Sequence, residues 1–170
     1  MSDMADLDLE VPQPALLFDL DGTLVDSVYQ HVIAWQEALT ECGIPLSVWR
    51  IHRRIGMSGG LFIDALQRET GVALDVDTSQ RLRTLHAEAY LRRHQSVVPL
   101  PGARELLAHL HERGVPFAIA TSGARHTAGS ALAMLGLPDA DLLEPGQHLG
   151  GVGVDPVGTG PLQLFPAVPA

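Results

Sequence analysis

The sequence predicts an α/β protein: a parallel sheet with helices packed against it, interrupted after its first strand by an all-helical insert. Three observations carry this. The apolar run Leu16-Leu17-Phe18 leads into a turn through Asp19-Leu20-Asp21-Gly22-Thr23. A second apolar run, residues 115–120, lies between Gly114 and Thr121-Ser122-Gly123, as a buried parallel strand would. Nothing in residues 28–95 reads as a strand. Strand, inserted helices, helix, strand, helix is α/β layering with parallel connections.

The elements follow in order. Residues 1–12 are polar, and a frayed start is expected there. Residues 14–20 form the first strand. Across residues 28–42, Val32, Ile33, Trp35, Ala38 and Leu39 recur at helical spacing, and Gly43 closes the helix. Ile44-Pro45-Leu46 begins a second short unit. Residues 61–69 form a helix opened by Ser58-Gly59-Gly60 and stopped near Gly71. Thr78 or Ser79 caps a longer helix, with Leu82, Leu85, Ala89 and Tyr90 on one stripe, ending near His94. In Val97-Val98-Pro99-Leu100-Pro101-Gly102 the prolines force extended backbone and mark a boundary. Residues 103–113 form a helix with Leu106, Leu107 and Leu110 inward and Gly114 past its end. Residues 125–135 form another, with Gly136 as its cap. Residues 145–170 are rich in Gly and Pro and show no helical or strand period.

Composition narrows the function classes. A chain of 170 residues can bury a sizeable core. Its net charge is −9, all positive charge comes from Arg, and Lys is absent. That balance argues against nucleic acid or an anionic membrane as partner. The single Cys42 forms no internal disulfide, which suits a reducing cytoplasm. It falls on an apolar helix face and reads as packing. The first ten residues are acidic without an apolar stretch, so no signal peptide is read there, and no apolar run is long enough to span a bilayer.

The chemistry concentrates at the first turn. Side chains at i and i+2 of a strand point to the same side. Asp19 and Asp21 therefore lie close together at the carboxyl end of a buried strand, where open α/β sheets bind ligands. Two anions so placed repel unless a cation or a shared proton relieves them, and hard, oxygen-seeking Mg²⁺ fits that need, with Asp19 and Asp21 as ligands. Gly22 permits a turn closed to other residues, and Thr23 adds a hydroxyl. Thr121, Ser122 and Gly123 lie at the end of the second strand. There a hydroxyl, backbone N–H groups and a helix N-terminus converge on a position suited to phosphate.

Asp19-Leu20-Asp21-Gly22-Thr23 after an apolar strand resembles the first motif of the haloacid dehalogenase superfamily of phosphohydrolases. The resemblance implies a Rossmann-like core, with Asp19 as nucleophile and Asp21 as general acid and then base. It implies Gly22, Thr23, Thr121, Ser122 and Gly123 around the phosphoryl group. The insert is similar to the small helical cap of the subgroup containing phosphoglycolate phosphatase and beta-phosphoglucomutase, through Asp26-Ser27, His31, Trp35, Gly43 and the return at Val98-Pro99-Leu100-Pro101-Gly102-Ala103. His31 is then a cap residue facing substrate, and Trp35 reads as core. His109 and His111 do not share a helix face and make poor metal ligands. Arg53-Arg54 could reach a substrate anion, though such pairs are more often solvated. The implied organisation is a core of residues 1–26 and 97–143, a cap of 27–96 and a tail of 144–170. The implied substrate is a small phosphorylated metabolite, phosphoglycolate or a sugar phosphate, and the motif does not separate phosphatase from mutase.

The resemblance stops near residue 138. The family pattern places a basic residue, then an acidic pair, downstream of Thr121. Here no Arg follows Arg125, and past Glu144 the only acidic side chain is Asp155. A core incomplete at its carboxyl end is expected. Three origins stand open: a shifted reading frame that cuts the product short, genuine divergence, and strands supplied by a partner. The abruptness of the break favours the first.

Overall fold

The computed structural model describes residues 15–123, 125–136 and 163–166. The elements run β1 (Leu16–Asp19), α1 (Val28–Glu41), α2 (Val48–His52), α3 (Gly59–Thr70), α4 (Val76–Leu91), a 3₁₀ turn (His94–Ser96), α5 (Ala103–Glu112), β2 (Phe117–Thr121), α6 (Arg125–Met134) and β3 (Gln163–Pro166). Strand β1 pairs parallel with β2, from Leu16 opposite Phe117 to Asp19 opposite Ala120. Parallel strands need a long crossover, and the helices α1 to α5 supply it. As the sequence predicts, residues 28–95 hold only helix, turn and loop. Among the described residues no helix is long and apolar enough to cross a membrane.

The tail departs from expectation. Residues 163–166 form β3, which pairs antiparallel with β2 from Ala118 opposite Pro166 to Thr121 opposite Gln163. A four-residue edge strand is too short to display a period. Pro166, which has no N–H to give a ladder, is its last residue. The rest of the tail and the first residues lie outside the described residues.

Strand β2 is buried along its length. It packs with Leu20, Leu24, Val25, Leu107, Leu110 and Leu132. Strand β1 corrects the expectation of a buried strand. It is the edge of the order β1-β2-β3, and Leu16 and Leu17 are 43% and 53% exposed. Among the described residues nothing pairs with its outer side. On α5 the buried face is Ala103, Leu107 and Leu110, and Leu106 is 41% exposed rather than inward. Positions i, i+4 and i+7 define that stripe and turn Leu106 aside. For the same reason α1 buries Val32, Ala34, Trp35, Ala38 and Leu39 and exposes Ile33. Helix α4 is capped by Asp75, ahead of Thr78 and Ser79. The carboxylate accepts the Thr78 N–H at 2.7 Å, which satisfies a donor that the helix itself leaves free.

The insert has its own apolar cluster, in which Trp35, Leu39, Ile51, Phe62, Leu66 and Leu82 are central and Cys42 packs at the margin. Ala34, Ala89 and Tyr90 belong instead to the cluster around β2. The helical layer thus rests on the sheet through α1 and α4. Its two connections pair with each other. The Asp26 N–H donates to the Val98 carbonyl at 2.8 Å, and the Leu100 N–H donates to the Leu24 carbonyl at 2.9 Å. Val25 bridges Pro99 between them.

Leu66 is fully buried in the insert cluster. Leu66→Ala is expected to lower unfolding free energy by about 2–5 kcal/mol. Leu106→Ala, at an exposed position, is expected to change it by no more than about 0.5 kcal/mol. Urea unfolding of the two variants beside the parent chain checks the pair.

Candidate functional site

The turn after β1 is shaped by glycine. Gly22 has φ +79°, and a Cβ there would stand 2.6 Å from Val28 Cγ2. Its N–H donates to the Val25 carbonyl at 2.8 Å, while the Leu24 N–H donates to Leu20 at 2.9 Å. This tight loop ends the strand with Asp19 and Asp21 close to α1. The Thr23 hydroxyl donates to Asp19 Oδ2 at 3.4 Å.

Asp21 is held by three elements. Ser27 Oγ donates to Asp21 Oδ1 at 2.6 Å. Ser27 is the N-cap residue of α1 and is fully buried, yet its side chain makes no cap bond, because the hydroxyl turns to Asp21. His31, one turn into α1, places Nε2 at 3.2 Å from the same oxygen. A carboxylate only accepts, so His31 Nε2 carries the proton. Thr121, 2% exposed at the end of β2, hydrogen-bonds Asp21 as well. It also accepts the Gly123 N–H at 3.0 Å. A Cβ on Gly123 would stand 3.2 Å from Thr121 Oγ1, so glycine keeps this junction open.

Behind His31 stands an aromatic stack. His31 Nδ1 is 3.2 Å from His86 Nε2. The His31 ring lies on Tyr90 at 4.1 Å and 6°. His86 stacks on Trp35 at 4.1 Å, and Trp35 on Phe62 at 4.1 Å. The ring that meets Asp21 is therefore fixed from two helices of the insert, α1 and α4.

These surroundings move the titrations. Burial lifts Asp19 above the ordinary carboxylate range. The Leu20 N–H opposes this, the Asp21 charge adds to it, and the Thr23 hydroxyl opposes it. Burial also pushes Asp21 up, but the bond and charge of His31 and the bonds from Ser27 and Thr121 together outweigh it, and Asp21 lies below the ordinary range. Burial, with His31 alongside, drives His86 from 6.5 to about 3, against the pull of Asp21. Burial and the Asp21 charge raise the Tyr90 hydroxyl.

A cavity of about 200 Å³ lies between sheet and insert. Asp19, Asp21, Ser122 and Gly123 line it from the strand ends, and His31, Arg54, Arg83 and His86 from the insert. Gly22 and Thr23 do not line it, and Thr121 stands just behind its wall. A larger, open hollow of about 720 Å³ lies at α1 and α2 around Gln36, Trp49 and Arg50. It holds no carboxylate and no strand end, so the smaller cavity is the candidate site. Among the described residues no group of three or more His, Cys, Asp or Glu could hold a metal ion. Asp19 and Asp21 are two hard oxygen donors in part-buried surroundings, and Mg²⁺ is commonly bound by one or two carboxylates with waters and substrate phosphate oxygens. The pair fits such an ion.

Sequence reasoning placed Ser27 only at the opening of the insert, and it did not reach His86, Arg83 or the role of Tyr90. His86 had a signal: it interrupts the stripe Leu82, Ala89, Tyr90 on the buried face of α4. A polar ring in an apolar stripe needs a partner, and here the partner is His31. Trp35 fills both its expected place in the apolar cluster and part of the cavity wall. Arg54 lines the cavity but is paired with Glu69. Arg53 lies over the Trp49 ring instead.

Ligands of open α/β sheets bind beyond the carboxyl ends of the strands, and the carboxylates and the Ser122-Gly123 turn occupy that place. The chain is thus an α/β protein with a helical insert over its strand ends. It belongs to the haloacid dehalogenase-like hydrolase family, whose family model matches residues 14–144. It is 33% identical over 124 residues to hexitol phosphatase A of Escherichia coli, covering 72% of this chain and 54% of that protein. It is 34% identical over 110 residues to a phosphoglycolate phosphatase of Pseudomonas fluorescens, covering 63% and 40%. A crystal structure of a hydrolase from Pseudomonas syringae superposes with a TM-score of 0.72 at 51% identity, covering 74% of this chain and 57% of that one. The chain spans about half the length of the relatives it matches.

His86 gives the fold an acid-side weakness. The unfolded chain takes up its proton near 6.5 and the folded chain only near 3. Between those values the unfolded state binds more protons, so stability falls as pH falls. Asp21 acts in the same direction, because its stabilisation is lost as pH drops toward its lowered folded value. The His86 slope approaches about 1.4 kcal/mol per pH unit. His86→Leu is expected to flatten the stability profile between pH 6 and pH 4, measured by urea unfolding at each pH. An unchanged slope would show that His86 is not neutral in the folded chain.

Proposed function

We propose that this chain is a Mg²⁺-dependent phosphohydrolase, working through an aspartyl-phosphate intermediate on a small phosphorylated metabolite in a reducing cytoplasm, with neither nucleic acid nor membrane as partner. The observation that carries the reading is the convergence of Asp19, Asp21, Ser122 and Gly123 on one cavity covered by the helical insert. The relatives named hexitol phosphatase and phosphoglycolate phosphatase support a sugar phosphate or phosphoglycolate as substrate.

Asp19 attacks phosphorus and forms the new P–O bond. The ester P–O bond breaks, and Asp21 gives its proton to the leaving oxygen. Asp21 then takes a proton from the water that attacks the phosphorus, which releases phosphate and restores Asp19. Ser122 and Gly123 orient the phosphoryl oxygens, and Thr121 holds Asp21 from behind. Mg²⁺, held by Asp19 and Asp21, would supply charge stabilisation at the phosphoryl oxygens. In the free chain the titrations run opposite to these roles, since Asp19 is raised and Asp21 lowered. A cation beside Asp19 favours its ionised form, and an incoming phosphate dianion favours the protonated form of Asp21. Binding itself would therefore set the two carboxyl groups for the first step. A mutase would use the same first step and pass the phosphoryl group to a sugar instead of water.

One observation favours a second reading, a catalytically impaired chain. Residues 145–170, where the family pattern would place a basic residue and an acidic pair, hold no Lys or Arg and one acidic side chain, Asp155. Loss of such electrostatic stabilisation costs about 10²-fold or more in rate.

The insert, residues 27–96, acts in this reading as a lid over the cavity. Adding phosphate with Mg²⁺ is expected to slow hydrogen exchange in α4, and unchanged exchange there would remove the lid from the mechanism. Hydrolysis of an aryl phosphate with Mg²⁺ is expected to exceed that of an Asp19→Asn variant by at least about 10³-fold, the scale of losing the attacking group of a covalent mechanism. Equal turnover by the two proteins would remove Asp19 as nucleophile, and no turnover by either would favour the impaired reading.

A further inference from the structure

The chain has eleven basic side chains, all Arg, and the cavity between its two carboxylates and the insert needs at least one. A phosphate dianion entering beside Asp19 and Asp21 meets two negative charges at short range. Coulomb repulsion of that kind is worth several kcal/mol in a partly desolvated site. The sequence has no Lys, and no Arg follows Arg125.

Two arginines line the cavity, and both come from the insert: Arg54 and Arg83. They are not equivalent. Arg54 is committed to Glu69 and also donates to the Arg50 carbonyl at 2.6 Å. Glu69 takes Arg50 as well, at 2.8 Å, so one carboxylate holds two guanidinium groups against the insert. The remaining ion pairs among the described residues occupy Arg81, Arg92 and Arg93 with Glu41 and Glu37. Arg83 has no carboxylate partner among the described residues. Its one hydrogen bond joins the neutral Gln80 at 3.0 Å. Gly59 makes room for its stem, since a Cβ there would stand 3.4 Å from Arg83 Cδ and 3.6 Å from Cγ. Gly59 lines the cavity too. A half-buried guanidinium in a cavity with two carboxylates, paired only with an amide, is poised for an anionic ligand.

We propose that Arg83 is a phosphate-binding cation of this site, delivered from the helical insert. The proposal rests on the phosphohydrolase reading for its ligand. It adds that the anion site is completed only when α4 lies over the strand ends, so the insert is a binding element as well as a cover. A planar guanidinium can meet two phosphoryl oxygens with a rigid pair of parallel N–H donors, a fork that an ammonium does not present.

The test is equilibrium binding of inorganic phosphate with Mg²⁺ present, followed by titration calorimetry on the full chain. The parent chain is expected to bind, and Arg83→Met to bind at least tenfold more weakly. Arg83→Lys is expected to recover part of the loss, because the charge returns without the fork. Arg68→Met, on α3 away from the cavity, is expected to bind as the parent does. Thermal melts of each variant establish that it is folded, and Arg83→Lys keeps the question open to measurement if Arg83→Met is not. Parent-like binding by Arg83→Met would overturn the assignment and leave the phosphohydrolase reading standing. A loss seen in Arg125→Met instead would move the cation to the strand side. No phosphate binding by the parent chain would overturn both this proposal and the reading on which it rests.

Discussion

Two carboxylates two residues apart at the end of a strand repel each other, and much of this structure serves to hold them there. Gly22 makes the turn that brings α1 close enough for Ser27 and His31 to reach Asp21. Thr121 reaches the same carboxylate from β2. The result is an uneven division: Asp21 is surrounded by donors and held ionised, while Asp19, with little beyond Thr23 and one backbone N–H, is lifted by burial and by its neighbour. Paired acids placed in unlike surroundings can take unlike roles. The asymmetry here comes from which residues follow the turn, not from the carboxylates themselves.

The same need explains the stack above the site. His31 must keep its ring where Nε2 meets Asp21, and His86 and Tyr90 fix it by hydrogen bond and by ring contact. Holding His86 neutral in a buried stack sacrifices stability in acid. Natural sites commonly carry such local costs, which the packing of the surrounding cluster offsets.

The motif, the helical insert and the parallel pairing were all legible in the sequence. Asp19 and Asp21 announced themselves by spacing, and the boundaries of α1, α3, α5 and α6 by apolar period and flanking glycine. The misses have physical causes. Leu16 and Leu17 look like core because their composition is apolar, but burial of a strand depends on what stands beside it, and β1 is the edge of the described sheet. Leu106 sits beside Leu107 in sequence, yet the stripe of α5 runs through Ala103 and Leu110. Ser27 reads as a helix cap from its position alone, and only the fold shows its hydroxyl spent on Asp21. Strand β3 escaped because four residues between prolines and glycines carry no period. Arg83 escaped because one arginine on an amphipathic helix looks like any solvated charge.

The paired connections at the base of the insert have a further consequence. Residues 24–26 and 98–100 run side by side, joined by two backbone hydrogen bonds and the Val25–Pro99 bridge. The chain therefore leaves the sheet layer and returns to it at almost one point. A segment attached in this way can vary at its far end without moving either strand, because the chain enters and leaves it at one small paired collar. The strand ends and the helical layer above them can then change separately through descent. In a graft, the helical layer of a relative joined at this collar would bring its own anion contacts to an unchanged pair of carboxylates.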